Sequence, residues 1–194
     1  AQGEDQRFIN HDLVTRAKDR QWSITGSGDF DITDTHTLSV VLGYRNWFNE
    51  EFRDGDFLPR AIVGTPQLHD NGVVRTEQLS AEVRLASDQT KSFFYQVGAF
   101  AWQSENSQVF TRNNVTCASS TLPVDPRTGA RPCNLTDTVN TIFPTATSFS
   151  DVTSTNFAVF TQATYRFTEQ LSLTGGLRYT WDDLSFTHTR APGV

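Results

Sequence analysis

The chain has 194 residues, enough for one or two domains with a sizeable core, and a formal net charge of -6 from 16 basic and 22 acidic side chains. Hydrophobic residues make up 37 % and charged ones 20 % at a mean hydropathy of -0.43, which is too polar for helical membrane spans and too aromatic for disorder. No run approaches the roughly 20 apolar residues of a spanning helix, and the sequence shows no basic cluster of the kind a nucleic-acid binder carries.

The first residues, AQGEDQRFIN, carry neither a basic n-region nor an apolar h-region, so no signal peptide is visible in them. Beyond them, period-two alternation replaces helical periodicity, and the chain reads as all-β. Residues 20–32 set Trp22, Ile24, Phe30 and Ile32 against Gln21, Ser23, Thr25, Asp29 and Asp31. Residues 36–48 set Leu38, Val40, Leu42, Tyr44 and Phe48 opposite Arg45. After a long link at 49–75, residues 76–86 set Leu79, Ala81, Val83 and Leu85 against Gln78, Ser80, Glu82 and Arg84. Residues 92–104 form a strand of undecided register, with Phe93, Tyr95 and Val97 on one face and Phe94, Phe100 and Trp102 on the other. A second long link at 105–154 holds Cys117 and Cys133 around Pro123, Pro126, Gly129 and Pro132. A disulfide closing that loop would contribute about 3 kcal/mol by chain entropy and implies an oxidising compartment. Two lone cysteines cannot supply the four ligands of a zinc site. The last two strands, 155–167 and 173–183, repeat the alternation, with Leu173, Leu177, Tyr179 and Trp181 opposite Arg178 and Asp182.

Links near 33–35, 87–91 and 168–170 are short and polar while the other two are long, which is the asymmetry of an outer-membrane barrel. Aromatics at the two ends of a face, Trp22 with Phe30 and Phe157 with Phe167, stand on the order of 20 to 25 Å apart along a bilayer normal, with lighter residues between. A soluble β-sandwich would carry its largest side chains near mid-strand. An Arg facing lipid near the midplane costs about 2 to 4 kcal/mol, so Arg84 and Arg178 are expected to face the lumen.

The segments HTLSVVLGYRNW (36–47), LSAEVRLAS (79–87), VGAFAWQ (97–103) and FAVFTQATYRFTEQLSLTGGLRYTWDD (157–183) resemble barrel strands of TonB-dependent outer-membrane receptors, over roughly residues 20–187. That resemblance implies an antiparallel transmembrane β-barrel of 22 strands enclosing a plug, in the bacterial outer membrane. It also implies import of a scarce ligand of the siderophore, cobalamin or oligosaccharide class, energised by the TonB–ExbB–ExbD system. No plug, TonB box or closing strand is recognisable, so residues 1–194 are expected to be a part of the barrel domain, touching outer-membrane lipid and a small-molecule or oligosaccharide ligand.

Chemistry of other kinds finds little support. The carboxylates Asp29, Asp31 and Asp34, Glu50 and Glu51, Asp54 and Asp56, and Asp182 and Asp183 lack EF-hand spacing and read as strand-end acids. His11, His36, His69 and His188 form no metal or triad motif. No nucleophile elbow or phosphate loop occurs, so neither an enzyme nor a cofactor is expected. Asn114-Val-Thr116 and Asn134-Leu-Thr136 match glycosylation sequons, which are incidental in a bacterial protein. Aromatic and Arg side chains in the long links are the expected ligand contacts: Arg53, Phe57 and Arg60 in the first, Phe110, Arg112, Arg127 and Arg131 in the second. Two rival readings stand beside the receptor: a passive porin-like channel and a soluble β-sandwich binding module.

Overall fold

The computed structural model describes residues 13–57, 61–65, 67–133 and 140–192, with 115 and 140–145 described as backbone only. Six strands follow one another in an antiparallel meander: β1 (Arg16–Thr33), β2 (His36–Asp54), β3 (Gln67–Ser87), β4 (Phe93–Cys117), β5 (Asn140–Arg166) and β6 (Ser172–Pro192). The three short turns lie at one end and both long links at the other. Within the six strands the outer edges of β1 and β6 have no partner, so the sheet is not closed.

Directly paired residues share a face, and the register therefore fixes which side chains look the same way. One face carries Ile24, Tyr44 and Leu79 in one row, Gly26, Leu42, Ala81, Ala101, Phe157 and Trp181 in the next, and Phe30, Leu38, Leu85, Val97 and Leu177 further down. The other carries Gln21, Arg45, Arg84, Gln162 and Arg178. Pairing of Val97 with Leu85 settles the register of β4: Phe93, Tyr95 and Val97 join the apolar face, while Phe94, Phe100 and Trp102 join the polar one. Arg84 and Arg178 lie on the polar face, as the cost of a charge in hydrocarbon requires.

Among the described residues no second layer covers the apolar face. Trp22 is 56 % exposed and Leu177 79 %, and the buried hydrophobic residues among those described are only Ala61, Cys117, Cys133, Ala146 and Ala158. A soluble sandwich would bury the large side chains and leave the small ones out, so that reading is excluded.

Two aromatic edges bound the apolar band. At the upper edge Trp22 and Tyr44 have ring centroids 5.1 Å apart, Phe157 and Trp181 5.5 Å, and Tyr179 and Trp181 4.4 Å. At the lower edge Phe93 meets Tyr95, Tyr165 meets Phe167 at 4.9 Å, and the Tyr95 hydroxyl lies 3.0 Å from His36 Nε2. Both edges run obliquely to the hydrogen-bonded rows. From Trp22 on β1 to Trp181 on β6 the upper edge drops four residues of register, and from Phe30 to Leu173 the lower edge drops the same four. Four residues are about 13 Å along the strands over about 24 Å across five strand spacings, an angle of about 30°. A belt perpendicular to a barrel axis cuts tilted strands at such an angle, whereas the core of a flat sheet has no reason to.

The links at the far end are shorter than the sequence suggested. Strand pairing continues to Asp54 and resumes at Gln67, and continues to Cys117 and resumes at Asn140. Much of 49–75 and 105–154 is therefore strand projecting beyond the apolar band. Strands of 18 to 27 residues exceed the 9 to 11 or so that a bilayer requires. Above the band both faces meet water, so the alternation that marks a half-buried strand fades while the backbone ladder persists.

A nitroxide at position 177 is expected to be relaxed by lipid-soluble oxygen and one at 178 by a water-soluble nickel complex, in the full barrel in vesicles. Val83→Arg, at mid-band on the apolar face, should cost about 2 to 4 kcal/mol of unfolding free energy. Glu82→Arg, one residue away on the other face, should cost far less.

Candidate ligand-binding face at the long-loop end

Above the band, the polar face of the projecting strands gathers side chains that lie far apart in sequence. One hydrogen-bonded row sets Arg53, Asp70, Arg112 and Ala146 side by side, the next sets Glu51, Gly72, Phe110, Ser148 and Arg190, and a third sets Asn49, Val74, Gln108, Ser150 and His188. Arg112 holds Asp70 with two bonds, Nε donating to Oδ1 and Nη2 to Oδ2, each 2.8 Å. Asp70 is 5 % exposed, so this pair is the anchor of the row. The hydrogen bond to Asp70 raises the Arg112 pKa, against the opposing pull of desolvation, and the guanidinium stays charged. Its Cζ lies 5.9 Å from the centre of the Phe110 ring. A Cβ at Gly72 would make only an ordinary contact with that ring, 3.9 Å from Phe110 Cδ2.

A hollow of about 290 Å³ opens between Phe110, Arg112, Ala146, Ser148, His188 and Arg190. The His188 ring stacks on Phe186 at 6.3 Å with 12° between planes. Arg190 makes no ion pair among the described residues. The hollow thus offers one committed cation, one uncommitted cation, an imidazole and an aromatic wall. A larger concavity of about 730 Å³ at the short-turn end is lined mainly by the turn residues 31–37 and 86–89, and gathers no comparable set.

The two long links form one unit. Cys117, the last residue of β4, is disulfide-bonded to Cys133 with a Cα–Cα distance of 6.3 Å, within the usual span. Ala61 and Val63 of the other link pack on this bridge. Backbone bonds complete the stitch: Cys133 N donates to Ala61 O at 2.7 Å, Val63 N to Arg131 O at 3.0 Å and Gly64 N to Cys117 O at 3.2 Å. The Arg131 side chain donates from Nη1 to Leu122 O at 3.0 Å and so braces its own loop. Asp125 Oδ1 accepts the Arg127 amide at 2.8 Å and caps an exposed turn.

The family described as TonB dependent receptor-like, beta-barrel, has a sequence model that matches residues 2–193. The chain belongs to that family. Its members are receptor and transport barrels of the bacterial outer membrane. A search of curated proteins returned no match. For a receptor barrel the apolar face is the lipid face, the polar face looks into the lumen, and the long-loop end is extracellular.

The expected contacts divide accordingly. Phe110 and Arg112 lie on β4, not on a loop, and share the lumenal hollow. Arg53 lies near the end of β2, in the same row as Arg112 but two strands away, with its Nε 3.8 Å from Glu51 Oε2. Arg127 and Arg131 lie in the disulfide-closed loop, where Arg131 serves the loop itself. Arg60 lies outside the described residues. Phe57 is 74 % exposed and has a φ of 57°, a left-handed backbone that costs a non-glycine residue about 1 to 2 kcal/mol. Asp54 holds it there, its Oδ1 accepting the amides of Asp56 at 3.2 Å and Phe57 at 2.8 Å. His188 and Arg190 were not singled out from the sequence as ligand contacts; their even numbering, in phase with Arg178, was the available signal.

Acidic clusters found in the sequence serve the sheet. Asp31 Oδ1 accepts the Thr37 hydroxyl at 2.8 Å, and Asp29 and Asp182 likewise take cross-strand partners in Ser39 and Asn156. No group of three or more His, Cys, Asp or Glu side chains converges on a metal position among the described residues.

Reduction of Cys117–Cys133, or Cys117→Ser, is expected to open the loop to trypsin at Arg127 while leaving the barrel resistant. The chain-entropy loss of about 3 kcal/mol should appear as faster loop cleavage rather than as loss of the folded barrel on a heat-modifiability gel.

Proposed function

We propose that this chain is the part of a receptor barrel that captures a scarce small molecule at its extracellular end, for import energised through the TonB–ExbB–ExbD system. The ligand classes that fit are siderophore, cobalamin or oligosaccharide. The observation that carries this reading is the lumen-facing hollow of Phe110, Arg112, His188 and Arg190 beneath a braced double loop. Arg190 is a charge presented without an internal partner among the described residues, and Phe57 is a large apolar side chain held out on a strained backbone. The strained backbone at Phe57 lowers the stability of the free protein, while the exposed Arg190 stands open to a ligand.

A passive channel fits the lumen face less well. Across the band that face carries Phe94, Phe100, Trp102 and Phe160, and Arg178 stands over the Phe100 and Phe160 rings at 5.7 and 5.8 Å. Phe160 lies against Gly98, where an added Cβ would collide with its ring and stand 2.8 Å from Val83 O. An aromatic lining suits a lumen filled by protein better than a water-filled pore.

Arg190→Gln is expected to reduce ligand binding by about tenfold or more with unchanged barrel stability, because it loses a charge-assisted bond only in the complex. Arg112→Gln should lower binding and stability together, since it also strands Asp70. Phe57→Gly should relieve the backbone and weaken binding. Deleting residues 118–133 from the full receptor should abolish uptake; unchanged uptake would discard this end of the barrel as the capture site.

A further inference from the structure

We propose a second binding site, on the lipid face, for the phosphorylated headgroup of an outer-leaflet lipid. It consists of Lys18, Arg20 and Arg75, extended upward by Arg16. In the sequence these cations are diluted by Ala17 and Asp19, and Arg75 is distant. Folding sends Ala17 and Asp19 to the lumen face, where Asp19 accepts bonds from Trp47 Nε1 and Asn49 Nδ2. It also places Arg20, Phe48 and Arg75 in one row of the lipid face, with Lys18 and Glu50 in the next and Arg16 and Phe52 above that.

Height decides what these cations meet. Arg20 is one same-face position beyond Trp22, the aromatic edge on β1, and Arg75 two beyond Leu79, where the apolar band ends on β3. At about 6.6 Å per position along strands tilted near 40°, they stand about 5 and 10 Å above the hydrocarbon edge, at headgroup level. Aromatic rings keep the guanidinium groups on the surface: Arg16 Cζ lies 4.2 Å from the Phe52 ring centre and Arg75 Cζ 5.7 Å from that of Phe48.

The charge is confined to one side. Above the band on the lipid face, β1–β3 carry these four cations with Glu50, Glu77 and the buried Asp54, and Glu77 already accepts a bond from Asn46. On β4–β6 the same face carries Glu105, Asp151 and Asp183 and no cation. A uniform belt would serve solubility; a basic half beside an acidic half marks out one place for an anion. The site rests on the register and not on the ligand reading, so either can fail alone.

The test uses the full receptor in detergent micelles, with bisphosphorylated lipid A and its dephosphorylated form as probes and native mass spectrometry as readout. The wild type should bind the phosphorylated form at least about tenfold more tightly, and K18Q/R20Q/R75Q should lose that preference. Neutralising the acidic half (E105Q/D151N/D183N) should leave it intact. Equal binding of both probes, displacement by millimolar inorganic phosphate, or an equal shift in the acidic-half variant would overturn the site. Should the triple variant fail to fold, Arg75→Gln alone should cut the preference severalfold and Arg75→Lys should preserve most of it; no change in Arg75→Gln would count against the proposal.

Discussion

The constraint on which everything else depends is that hydrocarbon offers no hydrogen bonds. Every amide in the band must find its partner in a neighbouring strand, and every side chain on one face must be content among acyl chains. The first demand produces a ladder without interruption from Asp31 to Arg16 and across six strands. The second produces the alternation, and with it the separation of Arg84 and Arg178 from Val83 and Leu177. Bulk hydrophobicity is not needed, which is why a chain of mean hydropathy -0.43 can line a membrane.

Leaving the band relaxes both demands, yet only the alternation is lost. The ladder goes on for many residues past Trp22 and Trp181, while composition changes from aliphatic and aromatic to Ser, Thr, Asn and charge. Function can then be written on both faces of the same strands. The lumenal side assembles the Asp70–Arg112 pair and the hollow beside it; the outer side assembles cations at the height of lipid headgroups. Strand rigidity positions these groups better than loops would.

How much of this was legible depended on contrast. Within the band, Leu79–Leu85 and Leu173–Trp181 alternate so strongly that face and membrane edge could be read from spacing, whereas the tilt emerges only from the register. In 92–104 aromatics occupy both faces, and only pairing of Val97 with Leu85 distinguishes lipid from lumen. In 105–117 and 67–75 there is no contrast, because neither face is apolar, and the strands looked like loops. Cys117 and Cys133 announced their bridge by the turn residues between them. The contacts of that bridge with Ala61 and Val63 were invisible, since backbone bonds across more than fifty residues leave no mark on side-chain type. The hollow was half visible: Phe110 and Arg112 stood out by chemistry, whereas His188 and Arg190 acquire meaning only through their neighbours across β5.

The bracing of the two long links by one covalent bond and a handful of amides has a thermodynamic corollary for capture. A floppy pair of loops would have to surrender its freedom each time a ligand arrived, and a dilute ligand could not compensate for that loss. Here the surrender has been made once, during folding and oxidation, long before any encounter. On the proposed capture role, what remains for the ligand is to meet loops already tied together.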